Sequence, residues 1–251
     1  MLRLKKCTFI AFFRLLNFNY FVLDKKITIA IDGFSSTGKS TLAKQLAKQL
    51  GYAYVDTGAM YRAIAFFSMQ NGFIKSDFLD LESLINSLPG IRLQFKFNAD
   101  LGFAEMFLND ENVEKQIRTI EVSNFVSKVA AIPEVRTKLV EQQQEMGKNK
   151  GIVMDGRDIG TVVFPDAELK IFMTASAHTR AQRRFDELIQ KGDQVTFDEV
   201  LKNVEERDYI DTHRSNSPLM VATDAIKIDN SKLTREEQFE LVLELIRTRL
   251  N

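Results

Sequence analysis

A chain of 251 residues has room for one domain, or one domain with insertions. Its 34 Lys and Arg are matched by 34 Asp and Glu, so no broad basic field marks nucleic acid as the main partner. A single cysteine, Cys7, excludes an internal disulfide, and His178 and His213 have no second metal ligand at useful spacing, so both read as surface residues.

Residues 1–24 open with Lys5-Lys6 and the apolar run Cys7 to Phe13, which Arg14 interrupts. The run lacks a signal-peptide cleavage site and is too short to span a bilayer. Three readings stand: a disordered or loosely packed extension, a membrane-surface anchor, or residues upstream of the true start. The folded domain is expected to begin near Lys25 and to run to Asn251. The first strand follows, apolar and β-branched, over Lys26–Asp32. Gly33-Phe34-Ser35-Ser36-Thr37-Gly38-Lys39-Ser40 reads G-x-x-x-x-G-K-S, and Thr41–Leu50 has apolar residues at helical spacing before the capping Gly51. Tyr52–Val55 predicts a short strand, residues 59–67 a helix and 77–88 another, ended by Pro89-Gly90. Ile91–Phe97 alternates strictly and Gly102–Leu108 resumes strand character, which predicts a hairpin inserted in a βα pattern. Two helices split at Pro133 fill 114–147. Gly151–Asp155 and Leu169–Met173 predict buried strands. Ser176 caps an arginine-bearing helix, and Thr196-Phe197-Asp198-Glu199 is a capping box for the next. A last strand at Ala225–Asp229 and a final helix after Thr234 complete the alternation, which predicts a parallel sheet with helices on both faces.

The chemistry lies in four stretches. Strand, glycine-rich loop and helix in that order make residues 33–41 a phosphate cradle: its N–H groups face the anion, Lys39 reaches the terminal phosphates, and Ser40 puts a hydroxyl on Mg²⁺. Thr57 and Arg62 fall after the second strand, at the carboxyl rim where ligands bind such sheets. Asp155 ends a buried strand, where P-loop enzymes hold a carboxylate in the outer shell of Mg²⁺, and Arg157 beside it can neutralise a moving phosphoryl group. Arg180, Arg183 and Arg184 share a helix face before Gly192, which reads as a flap over phosphates or as a plain solvated face. Arg207, Asp211 and Arg214 share another, which reads as a second phosphate site or as a surface ion-pair ladder. More arginines than one triphosphate needs point to a second phosphorylated substrate.

From about Lys25 onward the chain resembles the bacterial cytidylate kinases. The resemblance is carried by Ile31-Asp32-Gly33 with the P-loop, Asp56 to Arg62, Gln116-Ile117-Arg118-Thr119, Asp155 to Ala167, and Glu206 to Asp211. It implies an adenylate-kinase-like P-loop α/β fold with a helical lid over about 176–194 and a small nucleoside-monophosphate-binding lobe over about 90–112. It implies a monomeric cytoplasmic enzyme that uses MgATP to phosphorylate CMP and dCMP, without nucleic-acid or membrane partners. By resemblance, Gly33, Phe34, Ser35, Ser36, Thr37, Gly38, Lys39, Ser40 and Thr41 bind ATP. Arg62 and Arg157 bind the CMP phosphate, and Arg118 and Asp158 contact cytosine with Thr57 nearby. Arg207 and Asp211 take the sugar, and Arg214 joins the substrate site. Lys39, Arg157, Arg180 and Arg184 act on the transferring phosphoryl, the last two from the lid. Ser35-Ser36-Thr37 departs from the family's frequent Ser-Gly-Ala without removing an N–H donor. Another small-molecule P-loop kinase, or a non-catalytic nucleotide-binding regulator, remains the alternative.

Overall fold

The computed structural model describes residues 25–75 and 78–250, with side chains to Thr248. The readings of residues 1–24 lie outside them. Strands β1 (Thr28–Gly33), β2 (Ala53–Asp56), β8 (Ile152–Gly156), β9 (Leu169–Thr174) and β10 (Ile226–Asp229) form one parallel sheet in the order β10-β9-β1-β8-β2. Side chains alternate across a strand, so a sheet covered on both faces needs apolar residues at every position. On one face Ile29 and Ile31 of β1 pack with Leu42 and Leu46 of α1 (Lys39–Leu50) and with Val242 and Ile246 of α8 (Arg235–Leu250). On the other, Ala30 joins Ile152 and Met154 beneath a short π-helical turn, Ile159–Val163.

A second core lies beyond β2. It gathers α2 (Thr57–Gln70), α3 (Leu81–Ser87), α4 (Ile120–Ala130) and α5 (Pro133–Gly147) with an antiparallel sheet of β5 (Leu93–Asn98), β6 (Phe103–Leu108) and β7 (Glu111–Asn112). The expected hairpin is therefore present, with one short strand added. The helix expected over 77–88 is confined to α3. Before it, β3 (Ile74–Lys75) and β4 (Phe78–Leu79) pair as a small antiparallel hairpin. Asp80, whose side chain accepts from the Ser83 amide at 3.0 Å, starts α3 there instead. Helices α6 (Ala177–Lys191) and α7 (Phe197–His213) pack on each other through Ala181, Leu188, Val200 and Val204. His178 and His213 are exposed, as expected. Among the described residues, no helix is long and apolar enough to cross a membrane.

The site is made where β1 ends. Gly33 has φ 142°, and a Cβ there would lie 2.0 Å from the Met173 carbonyl oxygen on β9. Only a residue without a side chain lets the chain leave the sheet at this point and turn back into α1.

Candidate active site

The P-loop wraps one end of a cavity of about 790 Å³ that runs along the carboxyl ends of the strands. Ser35 to Thr41 line it, and Gly38, at φ 88°, caps α1. Gly33 and Phe34 shape the loop from behind: Gly33 abuts β9, and the Phe34 ring packs edge-on against Phe172 with centroids 6.0 Å apart. Lys39 Nζ donates to the Phe34 carbonyl at 2.6 Å and to Thr37 Oγ1 at 3.5 Å. Burial and the positive Arg157 push the Lys39 ammonium well below its ordinary range. An incoming polyphosphate would relieve both effects.

Ser40 Oγ donates to Asp155 Oδ2 at 3.0 Å, and Tyr54 donates to the other oxygen of that carboxylate at 2.9 Å. Burial, then the neighbouring Asp56 carboxylate, pushes Asp155 up to about 6. A hydroxyl and a carboxylate at the mouth of a phosphate loop are hard oxygen donors, the set that Mg²⁺ takes when phosphates and water complete its shell. Among the described residues, no group of three or more His, Cys, Asp or Glu could hold a metal without such help.

The opposite end of the cavity is built from ion pairs. Asp56 caps α2 by accepting from the Ala59 amide at 2.9 Å. Its other oxygen accepts from Arg62 at 2.9 Å and from Arg118 at 2.8 Å. Burial would raise this carboxyl, but Arg62 and Arg118 outweigh it and hold it below the usual range. Thr57 Oγ1 donates to the Asp155 carbonyl at 2.8 Å, which ties the start of α2 to β8. From the turn after β8, Arg157 Nε donates to Asp211 Oδ2 on α7 at 2.8 Å. Burial would raise Asp211 too, and Arg157 and Arg207 instead keep it low. Arg207 donates to Ser123 Oγ on α4 at 2.9 Å; burial and the like charge of Arg157 lower it to about 10. Arg214 donates to the Ser217 carbonyl at 2.8 Å, with another nitrogen 4.0 Å from Asp158. These contacts bring Arg62, Arg157, Arg207, Asp211 and Arg214 into one wall, so the i, i+4, i+7 pattern on α7 is not a surface ladder.

Arg118 and Asp158 both line the cavity but do not pair: the Arg118 guanidinium spans Asp56 and Glu114, and Glu114 also accepts from the Met106 amide of β6 at 2.9 Å. The partner of Asp158 is Arg136 on α5, which ion-pairs with Asp158 Oδ2 and donates to the Ala130 carbonyl at 3.2 Å. Arg136 is 2% exposed and Asp158 3%. Burial raises the Asp158 carboxyl against the pull of Arg136. Sequence did contain a signal for Arg136. Ile132, Arg136, Leu139 and Gln143 fall on one buried stripe, and an arginine within such a stripe needs an acidic partner. Arg180, expected to act from the lid, is not among the residues that line the cavity. It is 3% exposed, bidentate on Asp208, bonded to the Ala175 carbonyl at 3.0 Å and to the Ser35 carbonyl at 3.4 Å. It braces the P-loop from beneath. Arg184 and Arg183 do reach the cavity, paired with Glu187 at 3.0 Å and with the Asn230 side chain at 3.1 Å.

The wall has donors to spare. Of the eight buried polar side-chain atoms without a hydrogen-bond partner among the described residues, six belong to cavity residues: Ser35, Tyr61, Arg62, Arg136, Arg207 and Arg214. Buried polar groups are nearly always satisfied. Their concentration here is what a site for a polar, anionic ligand requires.

A family model described as cytidylate kinase matches residues 29–248. The chain is 78% identical over 222 residues to the cytidylate kinase of Flavobacterium johnsoniae, spanning 88% of this chain and 96% of that protein. It is 72% identical over 222 residues to the cytidylate kinase of Flavobacterium psychrophilum, spanning 88% and 98%. With the cytidylate kinase of Phocaeicola vulgatus the identity is 56% over 227 residues, spanning 90% and 99%.

Proposed function

This chain belongs to the cytidylate kinase family, and we propose from that premise how its residues divide the work of transferring a phosphoryl group from ATP to CMP and dCMP. The observation that carries the division is one shared cavity, with a P-loop at one end and a wall of buried arginines at the other. Two phosphate sites face each other across it, as in-line transfer between two nucleotides needs.

Residues 35–41 hold the donor phosphates through backbone N–H groups and Lys39. Ser40, with Asp155 behind it, would hold Mg²⁺, which when bound draws charge from the donor phosphates. Arg62 and Arg157 grip the acceptor phosphate, each pre-oriented by a carboxylate, Asp56 or Asp211. That preorientation matters because fixed charges need not reorganise as the phosphoryl group moves. An oxygen of the acceptor monophosphate is the nucleophile and is already anionic, so no strong general base is needed. Arg184 and Arg183, on α6, complete the cationic surround from the donor side. Thr57 stands between the two ends.

The acceptor base is read by Asp158 and Arg136. Asp158 Oδ2 is taken by Arg136, while among the described residues Oδ1 has only the distant Arg214. That oxygen is free to accept from the cytosine amino group, and the unpartnered Arg136 Nε and Tyr61 hydroxyl line the same end. Uracil offers a carbonyl where cytosine has the amino group, so two acceptors would meet in a buried site. Ser127, buried on α4 and lining the cavity, is a further polar group at this end. Arg207 and Asp211, which line the same cavity, take the sugar.

The test is a coupled assay of ADP release across CMP, dCMP, UMP and AMP. Wild type should favour CMP over UMP by roughly 10²-fold in kcat/KM. Asp158→Asn should narrow that gap, because an amide can turn its NH₂ toward the uracil oxygen. Equal rates with CMP and UMP in the wild type would overturn the base assignment.

A further inference from the structure

The turn that carries Arg157 and Asp158 begins a π-helical segment whose first N–H groups need acceptors. Asp158 stands at its cap position with φ −145° and ψ 26°, and its side chain makes no capping bond. The acceptor comes from across the sheet. Asp32, the last residue of β1 before Gly33, accepts from the Ile159 amide at 2.8 Å through Oδ1 and from the Gly160 amide at 2.7 Å through Oδ2. Asp32 is 5% exposed, and Ile159 is fully buried. The fit is close: a Cβ on Gly160 would lie 3.3 Å from Asp32 Oδ2 and 3.1 Å from the Lys170 side chain.

A residue at the start of a helical turn ordinarily spends its own carboxylate on such N–H groups. Here that role is filled from 127 and 128 residues away. The Asp158 carboxylate is thereby left for Arg136 and the cavity. We propose that Asp32 is a positioning residue for acceptor recognition: by capping the turn from β1, it fixes the direction in which Asp158 presents its carboxylate. Because Asp32 directly precedes the P-loop, the same carboxylate also ties the acceptor-reading turn to the root of the donor-binding loop. The inference rests on Asp158 reading the acceptor base.

Asp32→Asn keeps the shape, but its NH₂ must face one of the two amide donors. That donor loses its acceptor, and the turn shifts. A displacement of this kind near ~1 Å can cost a site ~10²-fold. The expected result, in the full chain, is a tenfold or greater rise in KM for CMP with KM for ATP changed less than threefold, and a CMP to UMP preference lowered about tenfold. Hydrogen exchange at the Ile159 and Gly160 amides should quicken as well. Gly160→Ala presses on the same contact from the other side and should give a weaker version of the same pattern. It decides the matter if Asp32→Asn does not fold. Asp158→Asn is measured in parallel. If it narrows the CMP to UMP gap while Asp32→Asn and Gly160→Ala leave both that gap and KM for CMP unchanged, Asp32 is a structural cap only and the inference is wrong. If Asp158→Asn leaves the gap intact, the base assignment itself fails.

Discussion

Replacing Arg136 by Met tests the pair that the acceptor site depends on. The pair's side chains are 3% and 5% exposed, so the substitution leaves the Asp158 carboxylate buried without its main counter-charge. Removing one partner of a buried pair costs about 3–5 kcal/mol. Arg214, 4.0 Å away, offers partial compensation, which favours the lower end, about 3 kcal/mol. For a chain of this size that is a fall in Tm of about 6–12 °C. The pH dependence follows from the sign of the Asp158 shift. Its folded carboxyl lies above the ordinary value, and losing Arg136 moves it higher still. A group raised in the folded state stabilises when protonated, and that stabilisation is lost as pH rises through the folded value. The deficit of Arg136→Met relative to wild type should therefore be smaller at pH 5.5 than at pH 8. Thermal melts at both values, with circular dichroism to check the fold, measure it. KM for CMP should rise while KM for ATP stays within about twofold, since no contact of Arg136 reaches the P-loop. A deficit below about 1 kcal/mol at pH 8, or one that ignores pH, would refute the claim that Arg136 neutralises a buried Asp158.

The other expectations are separable. Lys39→Ala should lower kcat by roughly 10²–10³-fold or more in the coupled assay while the Tm holds or rises, because a buried cation is removed from the empty site. Arg180→Met should act chiefly on stability, about 3 kcal/mol in a urea titration, since Arg180 is bonded to Asp208 and the P-loop rather than facing the cavity; a purely kinetic loss would return it to the lid. Gly33→Ala should yield little folded protein by circular dichroism, because the clash is with the Met173 backbone and no rotamer relieves it. EDTA should abolish turnover yet leave the Tm of the nucleotide-free protein unchanged, since no carboxylate cluster among the described residues holds a metal alone.

What the sequence determined by itself is contiguous. The P-loop needs eight successive residues and the strand and helix beside them, so its geometry is local and legible. The same holds for Asp155 at the end of a buried strand and for the periods that set a parallel sheet between helices. Tertiary structure decided which charged groups meet. Arg118 and Arg136 are both arginines near helix α4 in the chain, but Arg118 falls to Asp56, 62 residues away, and Arg136 to Asp158, 22 residues away. Three arginines on one face of α6 looked alike until the depth of α6 against α7 sent Arg180 inward to Asp208 and left Arg184 at the cavity. Pairing of buried charges depends on distance and desolvation in space, and neither is encoded in spacing along a single element.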